Sequence, residues 1–309
     1  MMTKIRIGTR GSKLALTQTE MVKAELLKAF PNLEVSIEII KTQGDLMLDV
    51  PMAGRVDKGF FTTEIEKALL ENTVDIAVHS LKDLPVVLPD GLTLGAVLSR
   101  ADARDVLITK DGRTVEQLTT DDVVATSSLR RRAQLLQINP NLKIIDIRGN
   151  VDTRLRKLDE GYCTALVIAS AGIDRMGIRP EGCQRLPLDV MIPAAGQAII
   201  GIEARGNDTE VLKFLDAINH KSSALAASAE RTYLRIIEGG CHVPSGCHCE
   251  PDGEQMKITA FLSHIDGSGS IKQTVFASPS EVDVKAAELA HHILDAGGKE
   301  IMAEYAVKK

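Results

Sequence analysis

The strongest constraint on this chain is the alternation of two periodicities along its first two thirds. Apolar residues recur at every second position, then at every three to four, then at every second again. KIRIGT (4–9) alternates apolar and polar side chains. A helix then begins near Ser12, with Val22, Leu26 and Phe30 on one face and Pro31 as its stop. EVSIEII (34–40) alternates again, Phe61, Ile65, Ala68 and Leu69 share the face of a second helix, and VDIAVHS (74–80) returns to strand. The rhythm continues through VVATSS (123–128), a helix from Leu129, LKIIDIRG (142–149), a helix from Val151, and ALVIASAGI (165–173). Such alternation predicts parallel sheets with crossover helices, hence an α/β fold with doubly wound lobes.

Two composition breaks punctuate this rhythm: the polar LSRADARD (98–105) and the Gly/Ala-rich PAAGQAIIGIEARG (193–206). Beyond them the pattern changes. A long helix after Ser222 puts Leu225, Ala229, Thr232 and Ile236 on one face. Two strands follow, QMKITAFLSH (255–264) and SIKQTVFAS (270–278), then a helix from Ser280 that ends at Gly297–Gly298. That is an α+β block of its own, so three domains are expected.

Composition excludes several function classes. A net charge of −5 argues against a polyphosphate binder, and 3% aromatics with no Trp leave no supply of stacking platforms for nucleic acid. No run of 18 or more apolar residues exists, so no membrane partner is expected. The start MMTKIRIGTRGSKLAL has no long apolar run and no cleavage site, and five Cys is an odd number. Both features point to reduced thiols in a cytoplasmic protein.

Three strand-to-helix corners look built for anions: Thr9-Arg10-Gly11-Ser12, Thr126-Ser127-Ser128-Leu129-Arg130-Arg131-Arg132, and Arg148-Gly149-Asn150-Val151-Asp152-Thr153-Arg154. Each puts a capping hydroxyl or amide and free backbone N–H groups where the helix dipole favours negative charge. Each also adds Arg, whose planar fork binds carboxylates in pairs of hydrogen bonds. Arg has the wrong sign for a helix N-terminus, so it is not there to stabilise the helix. The expected ligand carries several negative groups.

Two further sites leave alternatives open. In HSLKDLP (79–85), Asp83 beside Lys82 is either a catalytic carboxylate tuned by a cation or a local backbone acceptor in a turn. In EGGCHVP (238–244), Cys241 is either an exposed nucleophile or an inert buried thiol. The cluster Cys241, His242, Cys247, His248 and Cys249 fits no standard zinc spacing, so no metal is expected.

TRGSKLAL (9–16), VDIAVHSLKDLP (74–85), ATSSLRRR (125–132), RGNVDTR (148–154), IPAAGQAIIGIE (192–203) and EGGCHVP, in that order along the whole chain, resemble the porphobilinogen deaminase (hydroxymethylbilane synthase) family. The resemblance implies a transferase of haem biosynthesis. It joins four porphobilinogen molecules head to tail with loss of ammonia, on a dipyrromethane cofactor carried by a cysteine thioether, and then releases linear hydroxymethylbilane. It implies Cys241 as the attachment site and Asp83 as the catalytic acid/base. Lys82, Ser12, Thr126, Ser127, Ser128, Arg130, Arg131 and Arg154 are implied contacts of the cofactor. Arg10, Arg148, Arg154 and Arg175 are implied contacts of substrate carboxylates.

The segment from Gly44 to Phe60 reads as a lid, with Arg55 and Lys58 placed to meet incoming carboxylates, although family members commonly have a Lys where this chain has Gly54-Arg55. The family motif AxGQGxxGIE appears with Ala198 in place of Gly. The implied domains are 1–99 with 196–219 and 100–195, both similar to periplasmic-binding-protein lobes, and 220–309 carrying Cys241. A monomer that hands its product to the next enzyme is also implied. The rival reading is a carboxylate-binding module of the same two-lobed fold, which would have no use for Cys241.

Overall fold

The computed structural model describes residues 3–46, 61–237 and 243–305. Arg55, Lys58 and Cys241, and with them most of the expected lid, lie outside the described residues. The chain divides into two compact units, Met1–Ala101 with Ala198–Ala224, and Asp102–Gln197 with Leu225–Lys309.

The first unit runs β1 (Lys4–Thr9), α1 (Lys13–Ala29), β2 (Glu34–Ile39), α2 (Gln43–Leu46), α3 (Thr63–Leu70), β3 (Ile76–Ser80), a 3-10 turn (Leu81–Asp83) and β4 (Leu92–Val97). The second contributes β5 (Asp105–Thr109), β6 (Val123–Ala125), α4 (Leu129–Ile138), β7 (Lys143–Ile145), α5 (Val151–Asp159), β8 (Ala165–Ala169), α6 (Ser170–Arg175) and β9 (Cys183–Arg185). The chain then returns to the first unit as β10 (Ile200–Arg205), α7 (Thr209–Ile218) and the start of α8 (Lys221–Ile237). The rest of α8, then β11 (Ser245–Asp252), β12 (Gln255–Leu262), β13 (Ile271–Ala277), α9 (Val282–Ile293) and α10 (Lys299–Tyr305), belongs to the second unit.

Two five-stranded sheets result, ordered β2-β1-β3-β10-β4 and β7-β6-β8-β5-β9. Both are mixed, which corrects the expectation of parallel sheets. β1 runs parallel to β2 and β3, and β6 parallel to β7 and β8, but β10 and β5 run antiparallel to both of their neighbours. The physical reason is connectivity. β5 and β10 enter their sheets after a passage from the other unit, so no crossover helix sets their direction.

Apolar residues cover both faces of each sheet. In the first, Ile5, Ile7, Ile76, Val78, Ile200 and Ile202 pack with Val22, Leu26, Val211 and Leu215 on one side, while Ile65 and Leu69 of α3 pack with Ala77 on the other. At about 25 cal/mol per Å² of buried apolar surface, these two cores supply the main drive for the strands to pair.

β11, β12 and β13 form a separate antiparallel sheet under α8 and α9. β11 is a strand the sequence reading did not find. Its Gly, Pro and Asp resemble loop composition, yet alternation buries Cys247 and Cys249 in the core beneath α8. The expected stop at Gly297–Gly298 is a break, not an end. Gly297 takes φ 110, a left-handed conformation that glycine adopts without strain, and the chain re-enters helix as α10. Among the described residues no helix is long and apolar enough to cross a membrane.

Candidate active site

In the first unit, the polar residues expected at the site gather where β1 and β3 end. Ser12 caps α1, its side chain accepting from the Ala15 N–H at 3.3 Å. Arg10, just after β1, pairs with Asp45 on α2 and lies 4.3 Å from the centre of the Phe61 ring. Burial opposes ionisation of Asp45, but hydrogen bonds from Arg10 and Thr42 outweigh it and hold the carboxyl below its usual range. Arg10 is therefore pre-oriented by a carboxylate that the sequence reading did not foresee.

Lys82 and Asp83 sit on the 3-10 turn after β3. Leu81 is the buried residue of this turn, and its N–H donates to Ile199 O of the loop entering β10 at 3.0 Å. Asp83 is exposed at the turn's end.

Beneath the turn lies a cluster the sequence reading missed. His79 Nε2 is 3.1 Å from Glu203 Oε2, and both side chains are buried. Glu66 of α3 is buried beside them. Burial, and then the Glu203 charge, push its carboxyl above the usual range, against the nearby Thr62 hydroxyl and the pull of His79. A carboxyl raised in the folded state stabilises below its ordinary pKa, and that contribution is lost as pH rises through the raised value. Glu66→Gln cannot ionise, so it is expected to raise the melting temperature at about pH 8 more than at about pH 4. Calorimetry showing equal shifts at the two pH values would contradict this.

In the second unit, the hydroxyls after β6 build the corner. Thr126 Oγ1 accepts from Ser128 N–H at 3.3 Å, and Ser128 caps α4 by accepting from Arg131 N–H at 3.4 Å. Ser127 Oγ exchanges two bonds with the Ile147 main chain, at 2.8 and 2.9 Å, and so ties this corner to the one after β7.

Arg130 and Arg131 do not point into solvent. Their side chains are 5% and 7% exposed, and both grip Asp105, whose side chain is 0% exposed, at 2.8 and 2.7 Å. Gln197 adds a 2.9 Å bond to the same carboxylate. Burial opposes ionisation of Asp105, but the two guanidinium groups outweigh it and hold the carboxyl far below its usual range. Arg130 also donates to Ile192 O at 2.7 Å, and Gly246 of β11 lies against it, because a Cβ there would come within 3.2 Å of Arg130 Cδ. Two cations share one anion, leaving one positive charge in excess.

Arg154 donates to Gly149 O at 2.8 Å across its own corner, and Arg148 lies half-buried beside it. Arg175, at the end of α6, is half-buried, and burial pulls its pKa down to about 10, so it remains a cation at neutral pH. Arg132, to which the sequence reading gave no role, donates to Ile144 O at 2.7 Å and ties α4 to β7.

Asp105 and Gln197 are further residues that reasoning from the sequence missed. Glu230 of α8 is another, a buried carboxylate accepting from Gly196 N–H at 2.6 Å and Cys249 N–H at 2.7 Å. Only Gln197 carried a signal, as a polar residue in a stretch that otherwise reads small or apolar. Asp105 ends the polar LSRADARD and Glu230 is followed by Arg231 and Thr232, so neither stood out. Cys163 is buried, and burial pushes its thiol up to about 11, so it is not poised to react.

Comparison with known proteins gives the family. A family model described as porphobilinogen deaminase, dipyromethane cofactor binding domain, matches residues 5–213, and one described as porphobilinogen deaminase, C-terminal domain, matches residues 224–293. The chain belongs to the porphobilinogen deaminase family.

Among its curated relatives, the porphobilinogen deaminase of Geotalea uraniireducens is 45% identical over 97% of this chain and 94% of its own length. That of Geobacter sulfurreducens is 43% identical over 98% and 95%. Among solved structures, the methionine binding protein MetQ matches with a TM-score of 0.42 and 15% identity, over 74% of this chain and 95% of that one. At that score the assignment rests on the sequence relatives. Where porphobilinogen deaminases carry Gly in AxGQGxxGIE, Ala198 holds φ 68 here, a left-handed conformation that costs a non-glycine residue about 1–2 kcal/mol.

Proposed function

We propose that this chain performs the porphobilinogen deaminase reaction, with its site residues in the roles the family motifs give them. The observation that carries the reading is the Arg130–Asp105–Arg131 cluster and its uncompensated positive charge. A buried excess cation calls for an anionic partner. A dipyrromethane bears acetate and propionate groups, so it fits a place where two guanidinium groups meet only one internal carboxylate. Arg130, Arg131 and Arg154, with Lys82, Ser12, Thr126, Ser127 and Ser128, would hold the cofactor. Arg10, Arg148, Arg154 and Arg175, with Arg55 and Lys58, would meet the carboxylates of incoming porphobilinogen. When bound, the dipyrromethane supplies the pyrrole carbon to which each new unit is joined.

The protein's own chemistry then centres on Asp83. The substrate's C–N bond breaks with its electron pair going to nitrogen, which leaves as ammonia, and the pyrrole left behind is cationic. Asp83 would hold the proton at the aminomethyl nitrogen and then oppose the ring's positive charge. One close carboxylate strongly favours a cationic ring. Cys241 would hold the cofactor through a thioether, keeping the reacting end local through every addition.

The test is the intact mass of the denatured protein beside Cys241→Ser. The expected result is an excess equal to two linked pyrrole units in the parent and none in the variant. An unmodified parent that stays unmodified after incubation with porphobilinogen would reopen the rival reading of a carboxylate-binding module.

The same proposal divides the chain into domains at 1–99 with 196–219, 100–195, and 220–309. The separate core under α8 and α9 supports the third of these. It also makes the protein a cytoplasmic monomer that hands hydroxymethylbilane to the next enzyme, a reading that the odd cysteine count supports only for the compartment.

A further inference from the structure

We propose that His79, held by Glu203, is the positioning residue for the turn that carries Asp83. The inference rests on Asp83 being the catalytic carboxylate.

β3 needs no histidine to fold. Its other inward residues are Ile76, Ala77 and Val78, and an apolar side chain at 79 would spare the cost of taking an imidazole and a carboxylate out of water. The side chain of Glu203 is wholly buried in a strand that otherwise reads Ile, Gly, Ile, Ala before its terminal Arg205. Its Oε1 and Glu66 Oε1 have no hydrogen-bond partner, so the 3.1 Å bond to His79 Nε2 is the principal satisfaction this carboxylate receives. A carboxylate only accepts, so Nε2 carries the hydrogen.

The register shows what the pair holds. Gly201 stands directly opposite His79, and Glu203 opposite Ala77, so His79 and Glu203 project from the same face of the sheet, the face covered by α3. A Cβ at Gly201 would project from that face as well, and it would lie 3.0 Å from Leu81 Cδ1 and 3.6 Å from Leu81 Cβ. Leu81 therefore folds back over Gly201, onto the face that the imidazole occupies. Its N–H is fixed to Ile199 O, and Asp83 follows two residues later.

On the opposite face Ser80 exchanges hydrogen bonds with Gln18 of α1, at 2.9 and 3.2 Å. The end of β3 is thus clamped from both sides, and His79–Glu203 is the clamp beside Leu81. Leu81 and Leu84 are the buried residues of this stretch, and Leu81 is the one that lies on the His79 face. Loss of the clamp there frees the end of β3 to tilt, and Asp83 moves with it. A misplacement of about 1 Å at a reacting group costs about 10²-fold in rate.

The experiment compares His79→Gln with His79→Asn in the cofactor-loaded enzyme. Gln sets its amide donor where Nε2 was, whereas Asn is one methylene shorter and sets it near Nδ1. With Gln, kcat is expected to stay within about fivefold of the parent. With Asn it should fall by about 10²-fold, while KM for porphobilinogen changes by less than about twofold and the intact mass shows full loading. Equal kcat in the two variants would overturn the proposal. So would a fall in loading or melting temperature in step with kcat, which would make the pair structural. Asp83→Asn measured alongside separates the two ideas. If it turns over normally, the reading of Asp83 fails, whereas an inactive Asp83→Asn beside a fully active His79→Asn sinks only the positioning role.

Discussion

Asp83→Asn is expected to fold, to carry its dipyrromethane, and to make hydroxymethylbilane about 10⁴-fold more slowly than the parent. Asp83 is exposed at the end of the 3-10 turn, and Leu81, whose N–H donates to Ile199 O, and Leu84 are the buried residues on either side of it. An isosteric change at such a site alters stability by no more than about 0.5 kcal/mol. The amide keeps the shape and most of the hydrogen bonding, but it can neither hold a proton at the leaving nitrogen nor oppose a cation. Loss of a general acid/base costs about 10²–10⁴-fold. Added loss of charge stabilisation places the expected fall in kcat at the upper end of that range. The measurement is product formation by holoenzyme of confirmed mass. Normal turnover would remove Asp83 from the mechanism.

Asp105→Ala is expected to show the largest loss of stability. The substitution leaves Arg130 and Arg131 buried without their shared counter-charge and removes one of the two acceptors of Gln197 Nε2, the other being Ala103 O. Removing one partner of a buried ion pair costs about 3–5 kcal/mol, a large share of a typical total of about 5–15 kcal/mol. Urea unfolding of parent and variant measures it, and a difference below about 1 kcal/mol would mean that the arginines find solvent instead.

The pH dependence has a definite sign. The folded-state pKa of Asp105 lies far below its unfolded value, so its contribution is fully present above the ordinary carboxylate range. It is lost as pH falls toward the depressed folded value. The gap between parent and variant should therefore narrow in acid. Cofactor loading should fall as well, because the arginines lose the carboxylate that orients them.

The alternation of strand and helix was legible because it is local, and so were the anion corners, where Ser, Thr and Arg lie within a few residues of each other. What the sequence did not reveal depends on partners far along the chain. Arg131 meets Asp105 across 26 positions and His79 meets Glu203 across 124, and no periodicity encodes either pairing. The antiparallel sense of β5 and β10 was hidden for the same reason. Two elements were masked by composition. β11 reads as loop because of its Gly and Pro, and α6 merges with the apolar run of β8. The role of the serines was also read too simply. Ser127 binds main chain at the neighbouring corner, so part of the polar decoration builds the site's walls.

The return of β10 into the first sheet has a consequence for the order of events during synthesis. β4 joins that sheet only through β10, which lies about a hundred residues later in the chain. Until the ribosome has released those residues, β4 has no ladder partner, Leu81 has no Ile199 carbonyl to donate to, and His79 has no Glu203. At about 5–20 residues per second that is an interval of several seconds. During it the nascent first unit exposes an unpaired apolar edge at β3, the strand that leads into the Asp83 turn. The turn that carries Asp83 is therefore among the last parts of its own unit to be fixed, and a chain terminated before β10 would lack the Ile199 carbonyl and the Glu203 carboxylate that hold it.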